Sequence, residues 1–323
     1  MAEYLQIDNI SKKFRGKNYS WRNKEYVQAV DSVSLSLKKG EVLGLVGESG
    51  CGKSTLGRLA IKLLQPDSGR ISFDGQDISN LSTKEMRPYR KKMQIIFQDP
   101  YSSLNPRMTI GELIRAPLDV FNIGDKYSRE DQTDSIMGEV GLSSDVKNRY
   151  PHEFSGGQLQ RVVIARALVL EPEFVVCDEP VSALDASVRA QVLNLLSSLQ
   201  HKRHLTLLFI SHDLSVVKHI SDRVAVMYLG KIIEIADAQL FYQKQLHPYS
   251  EVLLSSVYTI DKRSEEKRIL LTGEVPSPYN IPTGCRFHPR CRYCMDKCKR
   301  KEPSLKEIQP QHWVACHLYG SDC

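Results

Sequence analysis

Gly47-Glu-Ser-Gly-Cys-Gly-Lys-Ser-Thr55 follows the apolar run Val42 to Val46 and opens a stretch of helical character from Leu56 to Leu64. The spacing is that of a P-loop, Gly-x-x-x-x-Gly-Lys-Ser/Thr, in its required place between a strand and a helix. Glycines at 47, 50 and 52 let the backbone turn so that successive N–H groups and the helix N-terminus face phosphate groups. Glu48, Ser49, Cys51 and Thr55 belong to the same loop, Lys53 is placed to reach the β- and γ-phosphates, and Ser54 to hold Mg²⁺. A nucleotide is therefore the expected ligand, because a glycine-rich turn without one does not need this whole context.

Phe174-Val-Val-Cys-Asp-Glu179 is an apolar run ending in two acids. Alone, such a pair is more often a solvated turn; downstream of a P-loop it has the form of a Walker B segment, with Asp178 on the Mg²⁺ side. Glu179, one residue further, is placed to polarise an attacking water. That role separates a nucleotide hydrolase from a kinase, which must exclude water.

Around these motifs short β-branched runs alternate with longer amphipathic stretches from Tyr4 to about Leu240, the pattern of an α/β fold with a largely parallel sheet. Strands are predicted at Glu41–Val46, Met93–Phe97, Phe174–Cys177 and Thr206–Ile210, and helices at Ile110–Val120, Asp131–Val140 and Val162–Leu170. A helical subdomain over about 99–170 is expected within a domain spanning 1–245, followed by an extension over 246–323 whose tail begins near Gly273. With 44 Lys+Arg against 38 Asp+Glu and 41% hydrophobic residues, disordered, collagenous and coiled-coil chains are excluded, while a net charge of +6 does not choose among anionic partners. No apolar run approaches the roughly 18 residues of a membrane span, and Met1 to Asn9 lack a signal-peptide pattern, so a cytoplasmic chain is expected.

Phe154-Ser-Gly-Gly-Gln158, followed by Leu-Gln-Arg161, resembles the Leu-Ser-Gly-Gly-Gln signature of ATP-binding-cassette (ABC) ATPases, with Phe154 in place of leucine. Ser155, Gly156, Gly157 and Gln158 at a helix start make a second anion site, although a plain N-cap at Ser155 would read alike. The resemblance implies an ABC nucleotide-binding domain in which this signature completes the ATP site of a partner subunit. It further implies that Gln98 is the Q-loop glutamine, contacting Mg²⁺ or the attacking water, and that Ser182-Ala-Leu-Asp185 is the D-loop, with Asp185 at the dimer interface. His212 is the switch histidine by the same resemblance, and Phe14 is the aromatic that stacks adenine. Tyr19, Trp21 and Tyr26 lie near enough to be alternatives for that last role, and plain core packing of Phe14 is the other alternative.

Within the family, Gly50-Cys-Gly-Lys-Ser-Thr-Leu-Gly-Arg58, Phe97-Gln-Asp-Pro-Tyr-Ser-Ser-Leu-Asn-Pro106, His247-Pro-Tyr249 and Gly284-Cys-Arg-Phe-His-Pro-Arg-Cys291 are similar to the ATPase subunits of dipeptide and oligopeptide importers, most like the second, F-type ATPase. The resemblance implies a peripheral subunit at the cytoplasmic face of the inner membrane. Its implied partners are a second ABC ATPase in a heterodimer, two membrane permeases and an extracytoplasmic substrate-binding protein. Nickel importers share much of this wording, so nickel or another small solute stays open as cargo.

Of eight cysteines, six crowd the last forty residues. Cys285, Cys291, Cys298 and Cys316 are separated by five, six and seventeen residues, a pattern that the resemblance associates with a [4Fe-4S] cluster. Cys291-Arg-Tyr-Cys294 could instead hold zinc with His288, His312 or His317, or the thiols could be reduced and metal-free; Cys323 is expected to be a free thiol. A soluble ABC ATPase acting on nucleic acid is the rival class. It is disfavoured because no heptad arm lies between Gly52 and Ser155 and no basic stripe carries interleaved aromatics. A P-loop kinase or GTPase fails on the signature and on the missing Asn-Lys-x-Asp motif.

Overall fold

The computed structural model describes residues 3–16, 25–258 and 276–319 except Pro278, and omits the side chains of 256–258; Tyr19, Trp21, Cys323 and the tail's start near Gly273 lie outside these residues. The strands in chain order are β1 (Glu3–Arg15), β2 (Tyr26–Lys38), β3 (Val42–Val46), β4 (Ser68–Phe73), β5 (Gln76–Asp77), β6 (Met93–Ile96), β7 (Phe174–Asp178), β8 (Thr206–Ile210), β9 (Arg223–Tyr228), β10 (Lys231–Asp237), β11 (Lys306–Gln309) and β12 (His312–Val314). The chain divides into two compact units.

The first unit comprises residues 1–38, 42–79 and 211–323. An antiparallel sheet runs β2-β1-β4-β5, and Asp74-Gly75, both at positive φ, close β4 onto β5 as a two-residue hairpin. In the same unit β3 pairs in parallel with β9, β9 turns through Leu229-Gly230 into antiparallel β10, and β12 and β11 continue outward from β10. β3 is buried along its whole length, which is why its sequence is continuously apolar rather than alternating.

Glu234 on β10 is fully buried and accepts three hydrogen bonds, from the N–H of Leu246 at 2.7 Å, the N–H of His247 at 2.9 Å and His312 Nε2 at 2.6 Å. A carboxylate out of water is tolerable only with its lone pairs filled, so this one acid fixes β10, the start of the helix Pro248–Tyr258 and β12 together. Beside it Tyr228, Tyr249, Phe287 and His247 pack ring against ring, with centroids 4.6 to 5.7 Å apart. Such tilted pairs contribute about 0.5–1.5 kcal/mol each beyond area burial.

The second unit comprises residues 39–41 and 80–210. β6, β7 and β8 are parallel and in register, Met93 opposite Phe174 and Phe174 opposite Thr206. The helices Ile110–Phe121, Lys126–Glu139, Gly156–Leu168 and Ala186–Arg203 accompany them. Thr109 and Glu112 cap the first of these reciprocally, and Asp125 and Ser128 the second. All four predicted strands and all four predicted helical stretches occur, with ends shifted by a few residues, the stretch expected over Leu56 to Leu64 being the helix Lys53–Ala60, while β1, β2, β4, β5 and β9 to β12 were not among the predicted strands.

The His247 imidazole is wholly buried, and desolvation lowers its pKa to about 4 against a weaker upward pull from Glu234. Its Nδ1 accepts the Tyr249 N–H at 3.0 Å, so the neutral ring is the folded form. The unfolded chain takes up that proton below its ordinary value near 6.5, so the stability this neutral ring carries is complete above 6.5 and falls as pH drops toward 4. At about 1.4 kcal/mol per pH unit, wild type should lose roughly 2 kcal/mol relative to His247→Asn between pH 6.5 and 5. Urea unfolding of both proteins across that range checks this, and a constant difference would contradict it.

Candidate nucleotide site

In the first unit, β3 runs into the loop Gly47–Gly52, which delivers the helix Lys53–Ala60. Gly52 caps this helix at φ 109°, without a side-chain cap and with no acid in the first turn, which leaves the first N–H groups directed at whatever sits before them. A side chain at Gly47 or Gly52 has no room: a Cβ would lie 2.2 Å from the Met227 carbonyl oxygen and 2.1 Å from that of Ala29, respectively. The Lys53 ammonium is buried and donates to the carbonyls of Gly47 at 2.8 Å and Glu48 at 3.1 Å. Burial pushes the Cys51 thiol up against the opposing pull of Lys53, so Cys51 is packing in the loop wall. Ser54 and Thr55 follow in the first helical turn, and Ser49 and Gly50 form the exposed tip.

Two residues without an assigned role in the sequence reading grip this loop. Tyr249 Oη accepts the Glu48 N–H at 2.8 Å, and Arg290 donates to both carboxylate oxygens of Glu48 at 3.0 and 3.2 Å. The motifs His247-Pro-Tyr249 and Gly284 to Cys291 contained both, but their partner lies 201 and 242 residues away along the chain. Phe14 stands on β1, partly exposed with Lys12 Nζ 5.8 Å above its ring, and Tyr26 is exposed on β2. Exposed His212 precedes the helix Leu214–Ile220, whose N-cap is Asp213.

In the second unit, β7 is buried throughout, with the Cys177 thiol pushed up to about 12 by burial first and Asp178 second. Asp178 ends the strand almost fully buried, and Glu179 turns out of it with φ +49°, a left-handed conformation costly for a residue with a Cβ. Three bonds hold that turn: the Glu179 N–H donates to Ile210 O at 3.0 Å, and its own carbonyl accepts from the Ser182 N–H at 3.3 Å and hydroxyl at 3.1 Å. Gln98 Nε2 donates to Glu179 Oε2 at 3.1 Å. The strained turn and the glutamine thus orient the Glu179 carboxylate one residue beyond buried Asp178, where a carboxylate can act chemically as a proton acceptor.

Ser155 caps the helix Gly156–Leu168 in a reciprocal box: the Gln158 N–H donates to Ser155 Oγ at 3.4 Å and the Ser155 N–H donates to Gln158 Oε1 at 3.0 Å. Both side chains are exposed, and Phe154 is buried, as an apolar residue at the leucine position should be. A Cβ on Gly157 would meet Val188 at 2.2 Å, so this glycine also lets the signature helix approach the helix Ala186–Arg203, whose N-cap is exposed Asp185.

The cysteine segment departs from the expectation of an assembled ligand set. Among the described residues no group of three or more His, Cys, Asp or Glu side chains is arranged to hold a metal ion. Cys285, Cys291, Cys298 and Cys316 are electrostatic neighbours, and burial pushes Cys285 up to about 12 and Cys316 up to about 11. Burial also raises Cys291, so three of these thiols are held toward the protonated form, and the thiolate is the form that ligates a metal. His312 is corrected as a zinc ligand, because Gln309 and Glu234 occupy its two ring nitrogens. His288 and His317 each bond a backbone carbonyl, and the Cys294 thiol donates to Met295 O.

The ABC transporter family matches residues 30–182, and the oligopeptide/dipeptide transporter C-terminal region matches residues 233–298. The oligopeptide transport ATP-binding protein AppF of Bacillus subtilis is 53% identical over 320 residues, 98% of this chain and 97% of that protein. The chain belongs to the ABC transporter family. Among other ABC relatives, the putative oligopeptide transport ATP-binding protein YkfD of Bacillus subtilis is 54% identical over 92% of this chain and 91% of its own length. A solved dimeric ATP-binding cassette in a post-hydrolysis state with ADP and Pi matches with TM-score 0.65 and 27% identity, covering 72% of this chain and 98% of that one. The cassette cbiO1 of Clostridium perfringens matches with the same TM-score and identity over 80% and 95%. No helix among the described residues of this ABC chain is long and apolar enough to cross a membrane.

Because backbone carbonyls fill the space beside the ABC loop, Gly52→Ala should deform it before any ligand is present. A loss of about 1–3 kcal/mol of stability is expected in urea unfolding of the nucleotide-free chain, together with loss of nucleotide binding; unchanged stability would contradict the close approach.

Proposed function

We propose that the chain is the ATP-hydrolysing subunit of an ABC importer for dipeptides and oligopeptides. The observation that carries this reading is end-to-end similarity: relatives described as oligopeptide transport and peptide import ATP-binding proteins align over 95–98% of the chain, through both the cassette and the C-terminal region. Lys53 and the loop N–H groups bind the β- and γ-phosphates, Ser54, Gln98 and Asp178 serve Mg²⁺, and Glu179 takes the proton from the attacking water. His212 contacts the γ-phosphate, Phe14 stacks adenine, and Ser155 to Gln158 with Asp185 act on the nucleotide of a second ABC ATPase in a heterodimer. With two membrane permeases and a substrate-binding protein this forms the importer, the chain lying peripherally at the cytoplasmic face of the membrane.

For the cysteine-rich segment 285–316 of the extension over 246–323, the reading is a [4Fe-4S] cluster on Cys285, Cys291, Cys298 and Cys316, supported by their spacing and by their being electrostatic neighbours. When bound, such a cluster would supply cross-links among four segments of a small tail. About four irons per anaerobically purified chain is the expected content; bound zinc or neither metal would remove the cluster and leave the motor intact.

In the assembled complex, Glu179→Gln should keep MgATP affinity within about threefold and lower turnover by about 10²-fold or more, whereas Lys53→Ala should lose the affinity itself. Phosphate release and fluorescent-nucleotide titration read the two effects. Rapid hydrolysis by the glutamine variant would refute Glu179 as the base, and wild-type turnover indifferent to the membrane subunits would refute the importer motor.

A further inference from the structure

The loop that receives the nucleotide contains an acid. Glu48 is its second residue, and a carboxylate among N–H groups meant for polyphosphate opposes the binding by like-charge repulsion. Arg290 answers this charge, forking both of its terminal nitrogens onto Glu48, with Nη1 on Oε2 at 3.0 Å and on Oε1 at 3.2 Å, and Nη2 on Oε1 at 3.2 Å. The arginine side chain is 6% exposed and the glutamate side chain 26%, so solvent screens this pair far less than a surface ion pair. A planar fork that stays charged at every relevant pH suits this task better than lysine.

Arg290 ends the short turn His288–Arg290, directly before Cys291, and the Tyr228 phenol lies beside it. From the same unit Tyr249 holds the Glu48 N–H. Backbone and side chain of one loop residue are thus both held by the C-terminal segment.

We propose that Arg290 is a positioning residue of the nucleotide loop: carried by the cysteine-rich segment, it cancels the charge of Glu48 and thereby sets the affinity of the loop for the polyphosphate. This rests on the nucleotide reading of that loop. Thermodynamic reciprocity makes the coupling two-way, so an arrangement of the tail that withdraws Arg290 lowers nucleotide affinity, and bound nucleotide favours the docked tail.

The test is a double-mutant cycle on the full chain, read by titration with a fluorescent ATP analogue and Mg²⁺ at constant salt. Arg290→Gln should weaken binding about tenfold, Glu48→Gln alone should bind at least as tightly as wild type, and the double variant should recover to within about threefold of Glu48→Gln. A purely structural strut would not be rescued by removing the acid, so a double variant as weak as Arg290→Gln overturns the proposal, as does wild-type affinity in Arg290→Gln. Should Arg290→Gln not fold, the double variant and Glu48→Gln still decide, because a soluble double variant with poor affinity gives the same refutation. Failure of the wild type itself to bind, or binding untouched by Lys53→Ala, would instead sink the nucleotide reading.

Discussion

Two backbone carbonyls govern the first unit of this protein. The oxygens of Met227, on the strand parallel to β3, and of Ala29, on β2, stand where side chains at positions 47 and 52 would have to be. Only a chain without Cβ at both positions can pass between them, and that passage aims consecutive N–H groups and a helix start in one direction. The pairing of β3 with the strand that carries Met227, and the buried Lys53 that donates to the carbonyls of Gly47 and Glu48, hold that passage in place. The anion site is thereby made before any anion arrives, which is how preorganised dipoles outperform solvent.

The second unit uses strain where the first uses close approach. Glu179 occupies a backbone region that a carboxylate-bearing residue rarely enters, and the bonds to Ile210 and Ser182 hold it there while Gln98 receives its side chain. A strained residue at the end of a fully buried strand has little freedom to reorient, so the carboxylate is presented in one direction. The exposed N-cap at Ser155 behaves differently. Its hydroxyl and Gln158 already satisfy each other, so any phosphate approaching that helix start competes with an existing cap instead of filling a bare one.

What was legible in the sequence follows the range of the interactions. The P-loop, the buried parallel strands and the acid pair were readable because each is specified within about ten contiguous residues: glycine placement, continuous apolarity, a charge at a strand end. β1 and β2 escaped because their polar and apolar residues alternate through bulges and register shifts, which blur the period of two, whereas β9 is a continuous apolar run, Val224 to Tyr228, that could have been read as β3 was. The two-residue turn at Asp74-Gly75 was a readable signal that went unused. Tyr249 and Arg290 could not be assigned a role, since a tyrosine oxygen accepting a distant N–H and an arginine paired across 242 residues leave no local pattern. The cysteine spacing was legible, but spacing fixes which thiols exist and not whether they converge as ligands.

The buried Glu234 also sets a clock on the making of the protein. Its third donor, His312, lies 78 residues further along the chain. At synthesis rates of about 5–20 residues per second, roughly four to sixteen seconds separate the emergence of the acid from that of the imidazole. Through that interval β10 carries an acid that cannot be sealed from water, so the sheet edge is closed only after the chain has delivered β12. The first unit is therefore complete only once its last strands have been made, although its phosphate loop is among the first segments made.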